Sequence, residues 1–246
     1  MDIKQALHKS DERSENNNLN LLTIWWMWIS PKRLFEIVAK GPSIILPMLC
    51  IIVVTATINV MTANKTDWEA TFLAEQNSSE MSLTEEQAQY MINQAEQFKY
   101  FSPVANVVLI PFGIFVLTGI FFLALKIYGS IVDFNQLMSV VLLALLPPIF
   151  TFSILKAMLL LGQPLMSVDQ LDSLVRSSIV DWFTLELNTL SGIWLKSIDI
   201  FYLWTVWLLV SGISIVAKVK ASIALMIVLV CGVVYLFGKS LFLGIM

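Results

Sequence analysis

The sequence predicts an all-α membrane protein, a polytopic helical bundle with five transmembrane helices and additional interfacial amphipathic helices. Composition is the first reason, because 57% of the 246 residues are apolar and only 13% are charged. That charged share is about half of what soluble domains carry. The second reason is that five apolar segments each reach the roughly 20 residues that a helix needs to cross a bilayer.

Two parts of the chain precede the first apolar span. Residues 1–20 are polar and are predicted to form a disordered cytoplasmic tail. Residues 21–41 are predicted to be an interfacial amphipathic segment, because tryptophan favours the membrane–water interface and cations favour the headgroup side. Its interface residues are Trp25, Trp26, Trp28, Lys32 and Arg33. We interpret the segment first as a membrane anchor and second as a docking platform for a cytoplasmic partner.

Local signals predict one helix inside this segment. Ser30 suits the N-cap of a helix and Pro31 suits its first residue. Gly41 and Pro42 favour the end of the same helix, since glycine adopts the terminal conformation and proline cannot continue the helix.

Residues 42–246 are predicted to form a five-helix transmembrane domain. The predicted spans are 43–62, 103–125, 137–161, 198–217 and 221–246, and the long outer connections are 63–102 and 162–197. Pro147 and Pro148 lie near the middle of the third span and predict a kink or a break into two half-helices, because proline removes a backbone donor. Only three residues, 218–220, separate the last two spans, which predicts an antiparallel helical hairpin.

The positive charges predict the orientation of the spans. The region before the first span and the two short connections carry nine cations, whereas the two long connections carry four. The nine are Lys4, Lys9, Arg13, Lys32, Arg33, Lys40, Lys126, Lys218 and Lys220; the four are Lys65, Lys99, Arg176 and Lys196. The positive-inside rule then places the N-terminus in the cytoplasm and the C-terminus outside.

The first outer connection is acidic and is predicted to contain an amphipathic helix within residues 82–100. Ser82 and Glu85 match a capping box at its start, and apolar residues then recur every three or four positions. Packing on the outer face of the bundle is the first interpretation of this helix, and binding of a partner is the second. The second outer connection mixes apolar and acidic residues, which predicts interfacial helices that cap the bundle.

The residues needed for catalysis or metal binding are scarce. His8 is the only histidine and lies in the polar tail. The sequence therefore lacks the residues for a histidine-based metal site or acid–base pair. No glycine-rich phosphate loop is present in the sequence. We therefore predict no catalytic, cofactor-binding or metal-binding residues, no cofactor and no binding of nucleic acid.

One face of the fourth span carries polar and aromatic residues at helical spacing. The stripe consists of Trp204, Trp207, Ser211, Ser214 and Lys218. Residues three and four apart lie on one helix face, and small hydroxyl residues allow helices to approach closely. We interpret the stripe first as a helix-packing surface and second as a polar path for a solute.

Three stretches resemble the Yip (Ypt/Rab-interacting protein) family of five-span membrane proteins, in its prokaryotic branch. They are ISPKRLFEI at residues 29–37, the Pro-Pro pair in LLALLPPIF, and the block from Asp199 to Val228. In this block the matching residues are Asp199, Phe201, Trp204, Leu208, Gly212, Lys218 and Ala221. The resemblance implies that prokaryotic relatives are non-catalytic and that some act beside ABC-type exporters or in envelope-stress resistance. Eukaryotic relatives resemble partners of Rab-type GTPases, and their Asp-Leu-Tyr-Gly-Pro motif is absent from this sequence.

These observations lead to one main functional hypothesis and two alternatives. The main hypothesis is a non-enzymatic adaptor of a bacterial cytoplasmic membrane that contacts the lipid bilayer and binds another membrane protein, such as an ABC exporter subunit, or a second copy of itself. The first alternative is a small transporter or channel. The second is a membrane-trafficking factor that binds a Rab-type GTPase.

Overall fold

The structure of the chain, a computed structural model, describes residues 26–78, 84–175, 177 and 198–243. Helices account for most of its regular structure, and an isolated parallel β-bridge pairs Thr66 with Met166. The helices are α1 (Trp26–Ile29), α2 (Pro31–Val38), α3 (Ile45–Lys65), α4 (Trp68–Ser78), α5 (Glu85–Phe98), α6 (Phe101–Ile127), α7 (Phe134–Leu161), α8 (Val168–Asp172), α9 (Ile200–Val216) and α10 (Ala221–Leu243).

Three of these helices are long and apolar enough to cross a membrane, as judged from length and composition. They correspond to α3, to residues Pro103–Ile127 of α6, and to α7. Shorter apolar helices, Ile200–Val216 and Ala221–Val234, occupy the positions of the fourth and fifth predicted spans. The predicted all-α membrane class is therefore confirmed, and the crossing of the membrane by α9 and α10 stays a prediction.

The chain divides into two compact units. The first unit comprises residues 1–50, 112–148 and 178–246, and the second comprises residues 51–111 and 149–177. Three helices, α3, α6 and α7, contribute one end to each unit. In α6 and α7 the boundary between the two units lies directly after a proline inside the helix, Pro111 in α6 and Pro148 in α7.

The core of the first unit is built around the first half of α7. Nearly every side chain from residue 137 to residue 148 is buried, including both prolines. α7 runs as one helix across Pro147 and Pro148, so the predicted break into two half-helices is wrong, and a kink at these prolines stays a prediction. Close packing on several sides stabilises the helix where two backbone donors are missing.

The second unit joins the ends of α3 and α7 through the long connections. Ile58, Leu160 and Leu171 form a small buried apolar cluster. Next to it the backbone N–H of Met166 donates to the carbonyl of Lys65 (2.9 Å), and the N–H of Asp67 donates to the carbonyl of Met166 (2.7 Å). The structure thus places a described part of the second long connection, α8, against α3.

The first long connection contains two helices, of which only the second matches a sequence prediction. α4 begins directly after α3 and contacts both α5 and α8. α5 lies within the predicted range 82–100, and its capping box is formed by Thr84 and Gln87. The predicted capping residue Ser82 lies outside the described residues, and Glu85 is the first residue of the helix rather than its capping partner.

Candidate membrane and partner interface

The interfacial segment of the sequence becomes two short helices, α1 and α2, in the first unit. Trp25 lies outside the described residues. Trp26 is exposed, and the guanidinium of Arg33 lies 4.8 Å from the centroid of its ring. Lys32 is also exposed, whereas Trp28 is half-buried. An exposed cation stacked on an exposed indole suits a membrane–water boundary, because both groups combine an apolar body with a polar end.

The apolar face of α2 is covered by protein. Leu34, Phe35 and Val38 are fully buried, and α2 packs along α9. The helix begins at Pro31, as predicted, although the side chain of Ser30 makes no capping hydrogen bond. After the helix, the Nε2 of Gln136 donates to the carbonyl of Ala39 (2.7 Å). α2 is therefore attached to the bundle by its own packing, and this attachment does not depend on contacts with lipid.

Gly212 allows α2, α7 and α9 to approach one another closely. A Cβ atom built on Gly212 would lie 2.5 Å from Cγ1 of Val140 and 2.9 Å from Cε1 of Phe35. Real Cβ atoms essentially never come within 3.0 Å of another heavy atom. Any larger residue at this position would therefore force the side chains of Val140 and Phe35 to shift.

Two further residues of the Asp199–Val228 block have specific backbone roles. Asp199 is the N-cap of α9, and its Oδ1 accepts a hydrogen bond from the backbone N–H of Tyr202 (2.6 Å). Lys218 follows the end of α9 and adopts a left-handed backbone conformation with φ of 53°. This conformation turns the chain toward α10 within a few residues.

The stripe on α9 lies opposite the buried face of that helix. Leu209, Ile213 and Val216 are buried, and each is two residues from a member of the stripe. Two residues along an α-helix point about 160° apart around its axis. Trp207 is accordingly 53% exposed, Lys218 is exposed, and Trp204, Ser211 and Ser214 are half-buried.

One hydroxyl group of the stripe, that of Ser214, is bonded within its own helix. Oγ of Ser214 donates to the carbonyl of Ser211 (2.9 Å) within α9. The stripe thus presents a surface of small residues and indole rings that is exposed at Trp207 and Lys218 and half-buried at its other three residues. Its predicted role in packing against another helix stays a prediction.

The described residues contain no cluster of three or more histidine, cysteine, aspartate or glutamate side chains that could hold a metal ion. Cys50 and Cys231 are both free thiols. What the geometry offers is a set of surfaces: the Trp26–Arg33 pair, the stripe on α9, and the ends of the long helices.

Comparison with known proteins matches the chain to a family. The sequence model of the Yip1 domain matches residues 25–241, a range that begins just before α1 and ends within α10. Curated proteins and solved structures gave no significant match. Because the matched region covers most of the chain, this protein belongs to the Yip1 domain family of membrane proteins.

Proposed function

We propose that the chain is a non-enzymatic integral membrane adaptor that binds another membrane protein through the stripe on α9. The observation that carries this proposal is the position of the stripe. Trp204, Trp207, Ser211 and Ser214 lie opposite the buried face of their own helix; Trp207 is exposed and the other three are half-buried, so this side is partly open to a helix from outside the chain.

The composition of the stripe supports a protein partner in addition to lipid. Between membrane helices, affinity comes from close van der Waals packing, and small residues permit close approach of the two backbones. Ser211 and Ser214 provide that approach, and Trp207 provides a large apolar surface beside it. Lipid chains, in contrast, gain little from a surface of small residues.

Site-specific photo-crosslinking tests this proposal. A photoreactive phenylalanine analogue replaces Trp207 in the full chain in its native membrane, and the same analogue replaces Met226 of α10 as the control. Met226 is 57% exposed, close to the 53% of Trp207, but lies on a different helix. We expect one reproducible adduct with a second membrane protein from position 207 and none from position 226.

Two outcomes would contradict the adaptor proposal. Equal adducts from both positions would indicate random collisions in the bilayer, and no adduct from position 207 in an inserted protein would leave the stripe without a partner. If the adduct forms, Ser211→Leu should remove it, because leucine prevents close approach of the partner helix. An ABC exporter subunit as the partner, or a second copy of the chain, would be identified by mass spectrometry of the adduct.

We further propose that the protein resides in a bacterial cytoplasmic membrane with its N-terminus inside and its C-terminus outside, where it serves an exporter or envelope-stress resistance. The charge distribution supports this orientation, since nine of the thirteen cations of the connections and the N-terminal region lie on one predicted side. Alkaline phosphatase fused after residue 246 should be active, and the same enzyme fused before residue 1 should be inactive. The opposite result would reverse the orientation.

A further inference from the structure

Two short connections meet at one end of the first unit. The backbone N–H of Ser130 donates to the carbonyl of Leu125 (2.9 Å), which closes the end of α6. Oγ of the buried Ser130 donates to the carbonyl of Ala217 (2.9 Å), at the end of α9. This pair of bonds holds the connection after α6 against the turn between α9 and α10.

Two isoleucines at this place are almost completely uncovered. Ile127 is 87% exposed and Ile131 is 97% exposed. Ile127 lies on an exposed apolar face of α6. The exposed residues Phe112, Val116 and Leu123 precede it on that helix, and the successive spacings are four, seven and four residues. Such spacing keeps the residues on one side of the helix, so the apolar face reaches the helix end without interruption.

Three lysines lie at the same end of the first unit: Lys126 directly precedes Ile127, and Lys218 and Lys220 lie in the turn between α9 and α10. Lys126, Lys218 and Lys220 are all exposed, and Nζ of Lys126 lies 5.2 Å from the ring centroid of Phe122. The carboxylate in the connection after α6 is that of Asp133, whose Oδ2 accepts from the backbone N–H of Asn135 (3.0 Å). Cations therefore stand at the end of an apolar helix face, at the depth where a bilayer presents its headgroups.

We propose that Lys126, Ile127, Ile131, Lys218 and Lys220 form a binding site for an anionic phospholipid. The lysines contact the lipid phosphate, the isoleucines contact the upper part of its acyl chains, and the chains continue along the exposed face of α6. The hydrogen bond from Ser130 to Ala217 keeps the two lysine-bearing connections together before the lipid arrives.

A lipid fits this surface better than an acidic protein segment does. The apolar part of the surface is continuous with the exposed face of α6, which extends over several turns along a helix long enough to cross the membrane. A cytoplasmic protein cannot reach along that face, whereas acyl chains lie there in any bilayer. The lysines supply the preference for an anionic headgroup over a zwitterionic one.

Native mass spectrometry of the full chain in mild detergent tests the proposal with phosphatidylglycerol and phosphatidylcholine of identical acyl chains. We expect phosphatidylglycerol to bind more tightly. Replacing Lys126, Lys218 or Lys220 with glutamine should lower its affinity about fivefold for each lysine, and about a hundredfold for all three. Phosphatidylcholine affinity should change little.

Three controls separate the site from general effects of charge. Lys99→Gln removes another lysine whose Nζ lies over an aromatic ring, 5.0 Å from the centroid of Tyr100, but in the second unit, and should leave binding unchanged. The triple arginine variant, which keeps all three charges, should retain the affinity. Ile131→Ser should weaken phosphatidylglycerol binding without removing a charge, because it removes the apolar contact.

Several results would overturn the proposal. The first is unchanged phosphatidylglycerol affinity in the single glutamine variants, which remain informative if the triple variant does not fold. The second is displacement of the lipid by glycerophosphate at similar concentration, which would indicate a site for a soluble anion. The third is tight binding of a polyglutamate peptide that phosphatidylglycerol cannot displace, which would indicate an acidic protein partner.

Discussion

Gly212→Ala adds one methyl group at the place where α2, α7 and α9 come closest. The new carbon would lie 2.5 Å from Cγ1 of Val140 and 2.9 Å from Cε1 of Phe35, whereas ordinary contacts begin near 3.4 Å. Relief of the overlap therefore requires a displacement of about 1 Å. Val140 and Phe35 are both fully buried, so neither side chain can turn away into free space.

Two opposing terms determine the size of the effect. Overpacking of a filled core costs about 1–3 kcal/mol, while replacement of a glycine by alanine inside a helix stabilises the helix by about 1 kcal/mol. Gly119→Ala in α6 isolates the second term, since nothing lies within 4 Å of a Cβ atom built there. Subtracting the two variants cancels the helix term and leaves the steric cost, about 1–3 kcal/mol of unfolding free energy.

Reversible unfolding in mixed micelles, followed by circular dichroism, measures this difference. Gly212→Ala should unfold at lower denaturant concentration than Gly119→Ala. Val140→Ala in the Gly212→Ala background should restore part of the lost stability, because it removes the atom nearest to the new methyl group. Equal stability of the two glycine variants, or no favourable coupling between positions 212 and 140, would refute the close approach at Gly212.

Three other substitutions test single contacts by the same unfolding measurement. Asp199→Ala should cost about 1 kcal/mol through loss of the α9 cap, and Asp199→Asn should recover most of it; equal effects would exclude a capping role. Ser130→Ala should cost about 1–3 kcal/mol, since it removes the donor to the carbonyl of Ala217, and an unchanged midpoint would contradict that bond. Trp68→Phe should be neutral or stabilising, because the buried Nε1 of Trp68 lacks a hydrogen-bond partner among the described residues; a loss above about 1 kcal/mol would contradict this expectation.

The start of α5 illustrates how far local sequence rules reach. Apolar spacing predicted a helix within 82–100, and the helix covers Glu85–Phe98. The capping pattern occurs twice in this stretch, as Ser82 with Glu85 and as Thr84 with Gln87. Both pairs satisfy the same rule, and the sequence alone contains nothing that decides between them. The existence of the helix was therefore predictable, and the residue at which it begins was not.

Amphipathic patterns predict which side of a helix is apolar, but they do not identify what covers that side. For α2 the covering partner is α9. The sequence of α9 is apolar on almost every side. Its polar stripe could therefore be predicted from the sequence, but its buried face could not. Gly212 was one of the residues that carried the family resemblance, yet only the positions of Val140 and Phe35 explain why glycine stands there.

The prolines of α7 were a misleading local signal. Proline lacks the donor and disfavours the helix by about 3 kcal/mol in isolation, which predicted a kink or a break into two half-helices, and the break does not occur. The first half of α7 is instead buried on all sides, and contacts that are distant in sequence outweigh this local cost. Tertiary packing of this kind cannot be computed from the spacing of residues in one span.

The division of the chain into two units has a consequence for the order of assembly during translation. Every residue of the second unit precedes position 178, whereas the first unit includes α9 and α10, which are synthesised last. The contacts among α3, α4 and α8 can therefore form while the ribosome is still producing the final hairpin. α2 is synthesised long before α9, so Phe35 can pack beside Gly212 only after α9 has been made. The apolar face of α2 therefore lacks its final protein partner through most of synthesis. During that period the face can be buried in the membrane surface.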